Sequence, residues 1–140
     1  MLDESESIGL KQLGHTKKFL SQLVGSLDID SGHTRVALVT YSTNVRTVFA
    51  LNAYTTVASV QSAIESLVIA EGGTSTAAAL AHVRTSMLTS SAGARSTVAD
   101  VVVVLTDGRS NNATATRVSI KHIRIITTAT VHFVSFSIRM

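Results

Sequence analysis

The chain has 140 residues, 45% of them hydrophobic and 15% charged, a net charge of +3 and a mean hydropathy of +0.33, which predicts one folded domain over 1–140 and excludes a disordered segment. Its 12 basic and 9 acidic residues form no basic run, and with no Trp there is no interleaving of cations and aromatics, so nothing marks a nucleic-acid surface. The absence of Cys excludes disulfides, thiolate metal sites and cysteine nucleophiles, and no stretch reaches the roughly 18 apolar residues of a membrane span.

The opening Leu2-Asp3-Glu4-Ser5-Glu6-Ser7 is acidic and lacks the basic and apolar regions of a signal peptide, so the secretion signal of any parent protein would lie outside this chain. Leu10, Leu13, Leu20, Val24 and Leu27 then recur at mostly helical spacing, which predicts a helix over about 8–26. Arg35 to Tyr41 is a β-branched apolar run suited to a strand buried on both faces, with a hairpin partner at 47–51 across a turn at 42–46. Val57, Val60, Ile64 and Leu67 give a second helix with one apolar stripe. Gly72-Gly73 breaks the chain. A third helix follows over about 76–87, with Leu80, Val83 and Met87 on one face, and then a small-residue loop at 90–96.

Val101 to Leu105 predicts a buried parallel strand that ends where Asp107 enters a loop. Val118, Ile120, Ile123 and Ile126 suggest a fourth helix, and 131–138 a last strand. Strands alternating with helices predict an α/β fold: a Rossmann-like, doubly wound, mostly parallel sheet flanked by helices, with one antiparallel edge strand.

In such sheets ligands bind beyond the carboxyl ends of the strands. Three polar clusters fall at such ends: Asp3-x-Ser5-x-Ser7 before the first helix, Thr74 after the glycine pair, and Asp107 after the valine strand. All offer hard oxygen atoms and none is His or Cys, a set suited to Mg²⁺ or Mn²⁺ better than to zinc. So few charged ligands leave the ion net positive and unsaturated, open to a carboxylate from a partner.

The ordered triple of Asp3-Glu4-Ser5-Glu6-Ser7, Thr74 in Gly72-Gly73-Thr74-Ser75-Thr76, and Asp107 in Val-Leu-Thr-Asp107-Gly108 resembles the metal-ion-dependent adhesion site of von Willebrand factor type A domains. Further stretches resemble the matrilin and collagen branch of that family: Thr34 to Ser42, Val45-Arg-Thr, Phe49-Ala-Leu-Asn52 and Gly93-Ala-Arg95. The resemblance implies a metal held by the hydroxyls of Ser5, Ser7 and Thr74, with Asp3 and Asp107 acting directly or through water. It also implies a non-enzymatic, extracellular module for adhesion or matrix assembly, whose partner is a protein presenting Asp or Glu, such as collagen. Two departures accompany it. Only Met1 and Leu2 precede Asp3, where the family has a hydrophobic central strand, and the chain stops after 131–138. It therefore reads as a fragment, with a gap expected in the sheet and Asp3 left without an anchor.

Other readings of the same residues are weaker. Asp3, Ser5 and Thr76 are good helix caps. An EF-hand fails because Ile8 stands where its loop needs Gly and Gly14 where it needs Glu. The same fold with an empty site, acting as a structural or intracellular scaffold, is the alternative to the metal-dependent module. A hydrolase built on Asp3 or Asp107 would need a nucleophile elbow, a phosphate-cradling glycine loop with Lys or a placed His, and the sequence has none of these. The five His share no metal-ligand spacing. Asn112-Ala113-Thr114 is a glycosylation sequon in a predicted loop.

Overall fold

A computed structural model describes residues 1–6, 9–106 and 124–129, with side chains for 1–6 and 12–106. Among the described residues five strands form one sheet in the order β3-β2-β1-β4-β5, where β1 is Leu2–Asp3, β2 Leu38–Tyr41, β3 Val45–Phe49, β4 Val101–Thr106 and β5 Arg124–Ala129. All pairings are parallel except β2 with β3, which supplies the one antiparallel edge. The helices are α1 (Gly9–Gly25), α2 (Val57–Glu65) and α3 (Thr76–His82).

The helices take the two faces of the sheet. Leu20 and Val24 of α1 and Val60 and Ile64 of α2 bury against Leu2 and Leu38 on one face. On the other, Leu80 of α3 with Val83 and Met87 covers Val39, Val102 and Val104. Residues three and four apart share one side of a helix, so the sequence periodicity translates directly into these contacts. The start of α2 is fixed by Thr56, whose side chain accepts from the Ser59 backbone N–H, a standard use of a hydroxyl at a helix N-terminus. From β1 the chain crosses to β2 on one side, and it returns later to β4 on the other. The crevice between β1 and β4 is therefore the topological switch point of the sheet.

Several expectations change. β2 begins at Leu38 rather than Arg35 because β3 ends opposite it, at Phe49, and β1 starts level with Thr40, so residues 35–37 have no ladder to join. β3 starts at Val45, two residues early, because Ser42 N–H closes a tight turn onto Asn44 O (2.9 Å). The third helix changes pitch after His82 and finishes as a π-turn at Val83–Met87. Residues 124–126, read as part of a fourth helix, belong to β5, paired in register with Val101–Val103. Ile125, Ile126, Thr127 and Thr128 form a β-branched run, and that preference wins over a three-residue spacing. The rest of that predicted helix and the last predicted strand lie outside the described residues.

The expected gap is real but partial. Leu2–Asp3 stands as a two-residue central strand, and Met1 extends the pairing through Leu105 N–H to Met1 O (3.0 Å) and Met1 N to Val103 O (2.6 Å). Below it nothing bridges β2 and β4 among the described residues. An apolar cavity of about 520 Å³ opens there, lined by Leu20, Val24, Leu38, Val39, Val101 and Val103 among others. Val101, expected to be buried, is consequently 55% exposed.

Candidate metal centre

Asp3 ends β1 and is fully buried, at 0% exposure. Its backbone is fixed by the parallel ladder, and its side chain bends the next turn: Oδ1 accepts from the Ser5 backbone N–H at 2.9 Å. This is the local turn that Asp and Asn favour. Oδ2 accepts from Thr106 Oγ1 at 2.6 Å. The expectation of an unanchored Asp3 is thus corrected, because two residues of strand and these two bonds hold it in place. No cation pairs with Asp3 among the described residues, whose ion pairs are His33–Asp28 and Arg46–Glu4. A buried carboxylate with no protein counter-charge is costly unless a cation compensates it.

Ser5 is also buried. Immediately beyond it, Glu6 N–H donates to Gly72 O (3.1 Å), which brings the first segment against the glycine pair. Thr74 is half-buried and lies between two fixed points, since Gly73 N–H donates to Thr43 Oγ1 (2.9 Å) and Ser75 N–H to Ser42 O (2.9 Å). A Cβ on Gly72 would stand 2.8 Å from Thr43 Oγ1 and 3.2 Å from Thr43 N, so the close approach of the two loops requires glycine there. Asp107 directly follows Thr106, the residue bonded to Asp3. The segments bearing Asp3, Ser5 and Thr74 therefore meet at the carboxyl ends of β1 and β2, and β4 delivers the chain to the same place. Ser7 and Asp107 lie outside the described residues, as does Asn112.

Among the described residues no three His, Cys, Asp or Glu side chains cluster closely enough to hold a metal. Of the residues expected to hold a cation, Asp3, Ser5 and Thr74 are the ones on segments that the described structure brings to the switch point. The donors present fit a hard cation: each Asp3 oxygen keeps a lone pair beyond its hydrogen bond, and Ser5 and Thr74 on the adjoining segments carry hydroxyl oxygens.

The same chain matches the family model of the von Willebrand factor type A domain over residues 1–137. It belongs to the von Willebrand factor type A family. This A domain is 38% identical to the collagen alpha-4(VI) chain of Mus musculus, over 80% of its own length and 5% of that protein's. It is 37% identical to matrilin-1 of Homo sapiens, over 80% of its length and 23% of that protein's, so it spans less than a quarter of either relative. Among solved structures it resembles proximal thread matrix protein 1 from the mussel byssus with a zinc-occupied MIDAS motif. There the TM-score is 0.82 with 25% identity, covering 90% of this chain and 36% of that one.

Three participants escaped the sequence reading of this A domain. The sequence places Thr106 just past the valine strand, Ser42 in a turn, and Glu4 as a spacer between candidate ligands, whereas Thr106 is the last residue of β4. Glu4 is in fact buried, and its Oε2 accepts from Arg46 Nη2 (3.1 Å) and from the Ala70 backbone N–H (3.1 Å). The available signal was Arg46, the one charge in a hairpin strand of otherwise neutral residues. The histidines behave as expected where described: His15 and His33 are exposed, and His82 meets Thr47 on a helix face (2.7 Å).

Proposed function

We propose that this A domain, a single domain over 1–140, is a non-enzymatic protein-binding module for cell adhesion or extracellular-matrix assembly. It would capture an Asp or Glu of a protein ligand, such as collagen or another matrix protein, through a divalent cation. Asp3, Ser5, Ser7, Thr74 and Asp107 are the proposed ligands and Mg²⁺ or Mn²⁺ the proposed ion. When bound, the ion supplies an unsaturated Lewis-acidic position for the partner's carboxylate. The chain's own residues do the rest: Asp3 compensates charge, the hydroxyls complete the oxygen shell, and the bonds to Thr106 and Gly72 hold the loops in register.

The observation that carries this reading is Asp3, a fully buried carboxylate without a cationic partner among the described residues, at the switch point of a doubly wound sheet. The matrix proteins among the relatives support the matrix setting and an extracellular location. No helix among the described residues is long and apolar enough to cross a membrane.

Calorimetric titration of Mg²⁺, Mn²⁺ and Zn²⁺ into the chain tests the reading. Zn²⁺ is included because a zinc-occupied motif exists in the mussel protein. Saturable Mg²⁺ or Mn²⁺ binding that disappears in Asp3→Ala/Ser5→Ala, together with chelator-sensitive capture on collagen that disappears in Asp107→Ala, supports it. A folded chain that takes up no cation and binds collagen equally well in chelator would replace it with the empty-site scaffold.

A further inference from the structure

Residues 67–75, which carry Thr74, form no helix or strand, yet their path is closely constrained. Leu67 is buried in the core, whereas Val68 is the most exposed of the large apolar side chains described. The backbone between them and the glycine pair is gripped by two charged side chains from elsewhere in the fold. Arg46 Nη2 donates to Val68 O (2.6 Å) and to Glu4 Oε2 (3.1 Å), and the same Glu4 oxygen accepts from Ala70 N–H (3.1 Å). The Glu4 side chain is 2% exposed and that of Arg46 46%.

Glu4 is itself pinned to the sheet by its backbone N–H to Tyr41 O (2.9 Å), and it lies between Asp3 and Ser5. One carboxylate thus ties three pieces together: the turn bearing Asp3 and Ser5, strand β3, and the loop bearing Thr74. A charge-assisted bond inside the protein is stronger and more directional than a neutral one. Side chains that orient metal ligands without touching the metal commonly alter its affinity by roughly 10–100-fold.

We propose that Glu4 and Arg46 are a positioning pair for the metal site: the buried carboxylate and its guanidinium hold the 68–73 backbone against the Asp3–Ser5 turn and so set the distance from Thr74 to the other ligands. The inference rests on the metal-binding reading of the preceding section. Glu4 is not a ligand in it, because its Oε2 is committed to Arg46 and Ala70. Arg46 neutralises its charge, so the pair fixes geometry without adding to the negative charge of the cage.

The test is Mn²⁺ titration, with free Mn²⁺ read by electron paramagnetic resonance, alongside amide hydrogen exchange, on the full chain and on Glu4→Ala, Arg46→Gln and the double variant. Glu4→Ala is expected to weaken Mn²⁺ binding by about 10–100-fold and to release the Ala70 amide, with amides of β2 and β4 still protected. Arg46→Gln should act in the same direction, and the double variant should lose less than the product of the two. Should Glu4→Ala fail to fold, Glu4→Gln keeps the shape and an acceptor for Ala70 while replacing the carboxylate, and a several-fold weakening is expected of it. Released Ala70 exchange with unchanged Mn²⁺ affinity overturns the positioning role and leaves the metal reading intact. A wild-type chain that protects Ala70 but takes up no Mn²⁺ overturns both.

Discussion

Thr106 Oγ1 donates a 2.6 Å hydrogen bond to Asp3 Oδ2, joining residues 103 positions apart across the carboxyl ends of two adjacent parallel strands. The contact exists because Leu2 pairs in register with Leu105, which leaves the following residue of each strand side by side at the switch point. Removing the donor while keeping the shape isolates its worth. Thr106→Val should lower stability by about 1–3 kcal/mol, the cost of stranding a buried acceptor, and Thr106→Ser should recover most of the loss. Urea denaturation of the three chains in chelator measures this, and equal midpoints for Val and Thr would show that water replaces the bond.

Asp3 itself should give opposite signs with and without metal. In chelator its buried charge has no protein cation to offset it, so Asp3→Asn, which removes the charge but keeps polar atoms for Ser5 and Thr106, is expected to raise stability by about 1–3 kcal/mol. With Mn²⁺ at roughly 100 times the dissociation constant the wild type should gain about 2.7 kcal/mol and the variant nothing. Thermal unfolding in both buffers checks the crossing. A variant less stable than wild type even in chelator would mean that the carboxylate is compensated within the apo protein.

The helices and most strands were legible because burial repeats with the period of the element: Val60 and Ile64, or Val102 and Val104, point inward as their spacing requires. The candidate ligands were legible because Asp and Ser at alternate positions before a helix form a local pattern. Non-local relationships were not. Nothing near Asp3 in sequence reveals that Thr106 would secure it, nor that Glu4 would be buried by an arginine 42 positions away and a backbone amide 66 away. β5 was misread because Ile123 and Ile126 imitate a helical stripe, and only pairing with β4 decides between the two. The limits of β2 likewise depend on where its neighbours end.

Gly93 marks a tight point away from the site. It closes the 3₁₀ turn Ser90–Ala92 with φ +96, and a Cβ there would stand 2.8 Å from both Asn52 Cβ and the Asn52 backbone nitrogen. Its carbonyl also accepts from Arg35 Nη1 (2.7 Å), so the turn cannot shift freely. Gly93→Ala combines left-handed strain with a backbone collision and should cost about 1–3 kcal/mol, read as a lowered urea midpoint. Unchanged metal affinity should accompany it, since none of these contacts reaches the switch point; a large affinity loss would mean that the loop communicates with the site.

For the 140-residue chain prepared by itself, with a free amine at Met1, a pH dependence is expected. The Met1 amine sits in the sheet, bonded to Val103 O, and burial lowers its pKa from 8.0 to about 5. In the unfolded chain it keeps the ordinary value. Between pH 5 and 8 the unfolded state therefore binds a proton that the folded state does not, and stability must rise with pH across that window and fall as pH is lowered through it. Above pH 8 this group contributes no slope, and below pH 5 both states are protonated and the penalty is complete. A shift of this size corresponds to at most about 4 kcal/mol. Urea midpoints in chelator at several pH values, compared with those of the N-acetylated chain, isolate the effect because carboxylate and histidine contributions are common to both. The acetylated chain should lose the slope assigned to the amine; identical profiles would mean that the amine is hydrated and charged in solution, and that Met1 does not stay in the sheet as β1 begins.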